Sequence, residues 1–149
     1  MLATHLALRR ARLVDRTPLE ALIALSARAL SAADYAEAQV ERALQAAFGV
    51  DSQLIRDGTY VVVEQAGMLV GCGGWSKRRT LFGGDAHAQR DGAELDPGRD
   101  AARIRAFFVH PEFARRGIGS AILEHCEREA AAHGFSRFEL MATLPGAPR

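Results

Sequence analysis

The stretch Phe107-Phe108-Val109-His110-Pro111-Glu112-Phe113-Ala114-Arg115-Arg116-Gly117-Ile118-Gly119-Ser120 constrains the fold more tightly than any other part of the sequence. A hydrophobic run, a proline, a glycine-centred turn and an apolar helical repeat follow one another directly. A strand must therefore hand over at once to a helix N-terminus. The first amides of a helix lack intrahelical acceptors and carry partial positive charge, so they bind anions. Gly117 and Gly119 let an anion approach the backbone with no side chain in the way. Arg115 and Arg116 add full positive charge at the same place. The segment reads as a diphosphate cradle.

The rest of the chain supplies elements of both kinds. Residues 6–13 alternate loosely, as a first strand does, and Thr17-Pro18-Leu19-Glu20 reads as a capping box opening a helix. Leu19, Leu22, Ile23 and Leu30 give that helix an apolar side. A second helix is expected over residues 34–48, with Val40, Leu44 and Phe48 on one face and Gly49 ending it. Tyr60-Val61-Val62-Val63 is a β-branched run expected to be a buried strand. Gln65-Ala66-Gly67 turns it into a hairpin partner over residues 68–75. Residues 76–100 form a polar insertion too long for a simple turn. A strand over 104–109 follows, then the cradle. Ile118, Ile122, Cys126 and Ala130 repeat at helical spacing until Gly134, and Phe138, Leu140 and Ala142 alternate in a last strand.

Composition narrows the class. The 149 residues fit one domain, 1–149, and 48% hydrophobic with 25% charged residues is ordinary for a globular protein. Cys72 and Cys126 form no CxxC pair, and the histidines show no metal spacing, so neither a disulfide nor a metal site is expected. A net charge of +1 argues against broad nucleic-acid binding. No apolar run approaches the roughly 20 residues of a membrane span. The expected compartment is the cytoplasm.

Three phosphate-binding patterns compete for the cradle. A P-loop requires GxxxxGK[ST], and the chain has neither Gly-Lys-Ser nor Gly-Lys-Thr. A dinucleotide fingerprint requires a third glycine where Ile122 stands. A coenzyme A pyrophosphate remains. The run of hydrophobic strand, Val-x-Pro, Arg-Arg-Gly-Ile-Gly and apolar helix resembles the signature of the GNAT acetyltransferase superfamily. The resemblance implies an α/β fold with a mixed, mostly antiparallel sheet flanked by helices. It implies acetyl-CoA as cosubstrate, its pyrophosphate on the amides of Arg115, Arg116, Gly117, Ile118, Gly119 and Ser120. The pantetheine arm would pair with the backbone of Phe107, Phe108 and Val109 like an extra strand, a backbone amide near Val109 polarising the acyl carbonyl. The expected reaction is acyl-CoA-dependent N-acetylation of a primary amine on a small molecule or peptide. A non-catalytic acyl-CoA-binding module or sensor is the alternative.

Other signals are weaker. Gly71-Cys72-Gly73-Gly74-Trp75 lies within a strand pattern, where glycines indicate close packing, and Trp75 is expected either to wall the acceptor site or to fill the core. Arg103, Arg105 and Phe107 alternate onto one face of their strand. Arg105 there would hold a substrate carboxylate or form a salt bridge with Asp96, Asp100 or Glu64. Lys77-Arg78-Arg79 is either a solvated charge run or a patch for an acidic acceptor. The family's usual base, a glutamate on the cofactor strand, is missing, and no tyrosine matches its usual acid, so neither role is transferred. The family pattern continues with a helix and two strands beyond the last strand seen here. If the 149 residues are the whole chain, a homo-oligomer that covers the last strand is expected.

Overall fold

The computed structural model describes residues 5–31, 50–78 and 94–140. Five strands form one sheet in the order β1 (Ala7–Arg10), β2 (Tyr60–Gln65), β3 (Met68–Ser76), β4 (Ala102–Val109) and β5 (Phe138–Leu140). Neighbours are antiparallel except β4 and β5, which run parallel. Helices α1 (Arg16–Ser31) and α2 (Ser52–Asp57) lie on one face of the sheet, and α3 (Ile118–Ala132) lies on the other. This is the mixed, mostly antiparallel α/β architecture that the sequence resemblance implied. The helix expected over residues 34–48, the insertion residues 79–93 and the strand end beyond Leu140 lie outside the described residues.

Covering both faces explains the continuous apolar run in β2. Val61 and Val63 point toward α3 and join Ile118, Ile122, Cys126 and Ala130 in one core. Tyr60 and Val62 point the other way and pack with Leu19, Leu22, Ile23, Leu54 and Ile55. A strand buried on both sides has no solvent face to keep polar. Burying each large aliphatic side chain stabilises the fold by about 1.5–3 kcal/mol. The β2–β3 hairpin turns at Ala66 and Gly67, whose φ angles of 50° and 84° are those a two-residue turn demands.

The start of α1 differs from the sequence expectation. Residues 6–13 are not all strand: Leu13 begins a 3₁₀ turn that runs straight into the helix. Thr17 and Pro18 therefore lie inside the first turn, and the polar side chain that organises it is Asp15. Its carboxylate accepts from the Arg12 amide at 2.7 Å and from both terminal nitrogens of Arg9 at 2.9 Å. The Arg9 guanidinium holds the Asp15 carboxyl below the usual carboxylate range. Helix α2 was not foreseen, although its signals are present: Asp51 caps its N-terminus, accepting from Gln53 N at 3.1 Å, and Gly58 closes it with φ of 75°.

The described stem of the insertion is ordered by pairing. Arg78 bridges Glu94, and Leu95 N donates to the Lys77 carbonyl at 2.6 Å. Arg78 also grips Asp57 with two bonds of 2.8 and 2.9 Å. Arg78 is thus engaged in a structural ion pair rather than presented to an acidic acceptor.

Candidate functional site

The turn between β4 and α3 is built by short-range bonds. His110 Nδ1 accepts from the Glu112 amide at 3.1 Å, which winds Pro111–Phe113 into a 3₁₀ turn. The His110 ring meets Phe113 edge-on at 5.4 Å, and the Arg116 guanidinium lies over the same ring at 4.8 Å. Arg115 and Gly117 then adopt left-handed backbone, with φ of 63° and 79°. Gly117 is the N-cap of α3, makes no side-chain cap bond, and its carbonyl accepts from Ala121 N at 3.0 Å.

The helix therefore starts with amides that neither its own backbone nor a capping side chain satisfies. Its first turn holds no acidic residue. Ile118 sends its side chain into the core, 1% exposed, which fixes the helix end against the sheet. A Cβ added at Gly119 would meet nothing within 4 Å, so the side-chain direction at this first-turn position is open. With Arg115 and Arg116 exposed beside it, the turn offers backbone donors, a helix dipole and two cations to an anion.

The glycines of β3 set how closely α3 approaches. A Cβ at Gly71 would lie 2.5 Å from Ile118 Cγ2, and one at Gly73 would lie 2.8 Å from Ile122 Cγ2. Gly74 instead meets neighbouring backbone first, 2.6 Å from the Thr59 carbonyl. The close packing read from the sequence is mostly helix side chain on glycine, and it carries the N-terminus of α3 to the end of β4.

Strand β4 contains a bulge that the sequence did not reveal. Cys72 lies opposite Phe108 and Gly74 opposite Arg105, so Ala106 and Phe107 together face Gly73 alone. Ala106 has a φ of 63°. The extra residue reverses the faces. Ala106 and Phe108 pack on the α1 side, while Phe107 and Val109 join Ala102 and Ile104 on the α3 side. Arg103, Arg105 and Phe107 consequently do not share one face.

The backbone beyond the bulge alternates in direction as strands do. His110 N donates to Val70 O at 2.9 Å, and the Phe108 amide bonds to the Cys72 sulfur, so both point toward β3. The amides and carbonyls of Phe107 and Val109 then point toward the opposite edge. On that edge the β5 ladder covers, among the described residues, Ala102, Arg103 and Ile104 only.

Two sequence candidates fall elsewhere. Trp75 is 0% exposed, donates from Nε1 to Glu129 at 3.2 Å, and meets His133 and Phe135 edge-on at 5.0 and 5.9 Å. It is a core residue at the far end of the β3–β4 ladder, the second of the two places expected for it. Arg105, 3% exposed, is ion-paired with the equally buried Asp51. The structure thus bears out the salt-bridge alternative, with a partner that is none of the three carboxylates expected from the sequence. Glu64 instead pairs with Arg9 at 3.2 Å.

Tyr60 is the residue that sequence reasoning missed. Its hydroxyl, buried beneath the bulge, lies 2.9 Å from the Ala106 carbonyl and 3.1 Å from Cys72 Sγ. Burial raises the Tyr60 hydroxyl well above its ordinary range and pushes the Cys72 thiol up to about 12, so both stay protonated. Among the described residues, no group of three His, Cys, Asp or Glu side chains is placed to hold a metal ion.

A strand with outward-facing backbone that runs into an uncapped, glycine-flanked helix end is the geometry of one acyltransferase fold, and residues 21–147 match the acetyltransferase (GNAT) family model. The chain belongs to the GNAT family. Solved structures of this fold cover nearly all of it. The PaiA N-acetyltransferase from Thermoplasma acidophilum, in complex with coenzyme A, superposes with a TM-score of 0.67 at 12% identity, over 95% of this chain and 82% of that one. A GNAT family acetyltransferase from Brucella melitensis, in complex with acetyl-CoA, gives 0.60 at 16% identity, over 96% and 79%. A ribosomal-protein-alanine N-acetyltransferase from Brucella melitensis biovar Abortus gives 0.56 at 18%, over 94% and 81%. No curated protein sequence matches. At these identities the GNAT neighbours establish the fold. Among the described residues, no helix is long and apolar enough to cross a membrane.

Proposed function

We propose that this GNAT protein transfers an acetyl group from acetyl-CoA to a primary amine on a small molecule or peptide. The observation that carries the reading is the N-terminus of α3, where Gly117 caps without a side-chain bond and a Cβ at Gly119 would meet nothing within 4 Å. The amides of Ile118, Gly119 and Ser120, with Arg115 and Arg116, would hold the pyrophosphate. The outward backbone of Phe107 and Val109, on either side of Phe108, would pair with the pantetheine amides as an added strand does. The coenzyme A and acetyl-CoA complexes of the fold neighbours support the same ligand class.

In the proposed reaction the neutral amine nitrogen attacks the thioester carbonyl, the carbon–sulfur bond breaks, coenzyme A leaves as the thiolate, and the proton lost by the acylated nitrogen converts that thiolate to the thiol. The ammonium must first give up a proton. The Val109 amide would stabilise charge that develops on the carbonyl oxygen, as a backbone oxyanion donor does. Neither cysteine serves as a nucleophile in this scheme, since both are buried and their thiols are pushed up to about 12. Calorimetry with acetyl-CoA, followed by a thiol-release assay across polyamines, amino acids, aminoglycosides and peptide N-termini, tests the proposal. Binding with turnover of one amine class is expected. Absence of acetyl-CoA binding to the folded protein would refute it.

A further inference from the structure

We infer that Tyr60 and Cys72 are positioning residues that fasten the β4 bulge and so aim the Phe107 and Val109 backbone at the acyl carrier's arm. The inference rests on the proposed pairing of pantetheine with that backbone. Inserting Ala106 removes the regular one-to-one match with β3 between Cys72 and Gly74. A bulge leaves backbone groups without ladder partners, and buried groups of that kind must be satisfied another way. Here two side chains do it. The Ala106 carbonyl can only accept, so the single hydrogen of the Tyr60 hydroxyl goes to it across 2.9 Å. The protonated Cys72 thiol, 3.1 Å away, then donates to the phenol oxygen, while its sulfur accepts from the Phe108 amide.

Ala106 and Phe108 are thereby tied from the β3 side on either side of Phe107. With those two fixed, strand alternation leaves Phe107 no orientation except outward. Ala106 needs such fastening, because its φ of 63° is one that a residue with a Cβ holds only when its surroundings enforce it. Room for the device is also built in. A Cβ at Gly74 would lie 2.7 Å from Tyr60 Cδ1, so only glycine there lets the ring lie across β3. Tyr60 is 1% exposed and Cys72 0%, so neither residue touches a ligand. Each acts through the backbone it holds.

Calorimetric titration of the purified protein and its variants with coenzyme A and with ADP, which has the diphosphate but no pantetheine, separates this role from plain stability. Tyr60→Phe keeps the ring and removes the bond to Ala106. Its expected effect is about tenfold weaker coenzyme A binding, the worth of one hydrogen bond, with ADP binding unchanged. Unchanged coenzyme A affinity, or equal losses for both ligands, would overturn the inference. Should Tyr60→Phe not fold, Cys72→Ala is expected to show the same selective loss and Cys72→Ser to restore coenzyme A binding; identical behaviour of those two variants would overturn it. A wild-type protein that fails to bind coenzyme A would overturn the pantetheine reading itself, and the inference with it.

Discussion

Replacing Gly119 with glutamate should separate the cradle's ligand from the cradle's stability. A Cβ at this position meets nothing within 4 Å, and no positive φ is involved, so the backbone accepts the side chain without strain. Within the first turn of α3 a carboxylate faces the positive end of the helix dipole, a gain of about 0.3–1 kcal/mol. Removing a helical glycine adds up to about 1 kcal/mol. The variant should therefore melt no lower than the wild type. Its affinity should move the other way. A carboxylate about 4 Å from a phosphate charge costs about 1 kcal/mol in bulk water and about 4 kcal/mol at the effective dielectric of a protein surface. Coenzyme A binding should weaken by roughly fivefold to a thousandfold. Gly119→Gln adds nearly the same volume without charge, so the gap between the two variants isolates electrostatics, and that gap should narrow as salt screens it. Calorimetry at two ionic strengths and a thermal melt suffice. Equal coenzyme A affinity for the Glu and Gln variants would refute the argument that an anion sits on these amides.

Three further outcomes are expected. Gly71→Ala drives a methyl to 2.5 Å from Ile118 Cγ2 and should lower stability by about 1–3 kcal/mol in denaturant titration, with coenzyme A binding weakened as the α3 end shifts. Arg115→Gly relieves the left-handed φ of 63°, so stability should rise by about 1 kcal/mol while coenzyme A affinity falls severalfold; Arg115→Ala should lose affinity without the stability gain. Asp15 has its carboxyl lowered chiefly by its hydrogen bonds to Arg9, so its contribution is present above the ordinary carboxylate value of about 3.9 and is lost as pH falls through the depressed folded value. Asp15→Asn should then be less stable than wild type by about 1–2 kcal/mol at pH 7, and urea titrations should show the gap closing well below pH 4.

Local chemistry alone made most of the architecture readable. Tyr60-Val61-Val62-Val63 announced a buried strand, because the run is β-branched, and the sheet buries all four residues. Ile118, Ile122, Cys126 and Ala130 announced one face of a helix, and all four are buried. Gly117 and Gly119 beside two arginines announced the turn that opens that helix, and the proposed anion cradle rests on its backbone amides, whose placement follows from chain order. Four features needed the assembled sheet. The bulge at Ala106 depends on how β3 and β4 fall into register, and one extra residue moved Phe107 to the face opposite Arg105. The partner of Arg105 is Asp51, 54 residues away, and no spacing rule selects it over Asp96, Asp100 or Glu64. Trp75 became core because the end of α3 closes over it with Glu129 and His133. The Tyr60 hydroxyl reaches the Ala106 carbonyl across a gap of 46 residues. Contacts within a few residues are fixed by backbone geometry and side-chain type. Contacts between distant strands are fixed only by which residues the sheet sets opposite one another, and the groups that fasten the β4 bulge are of that kind.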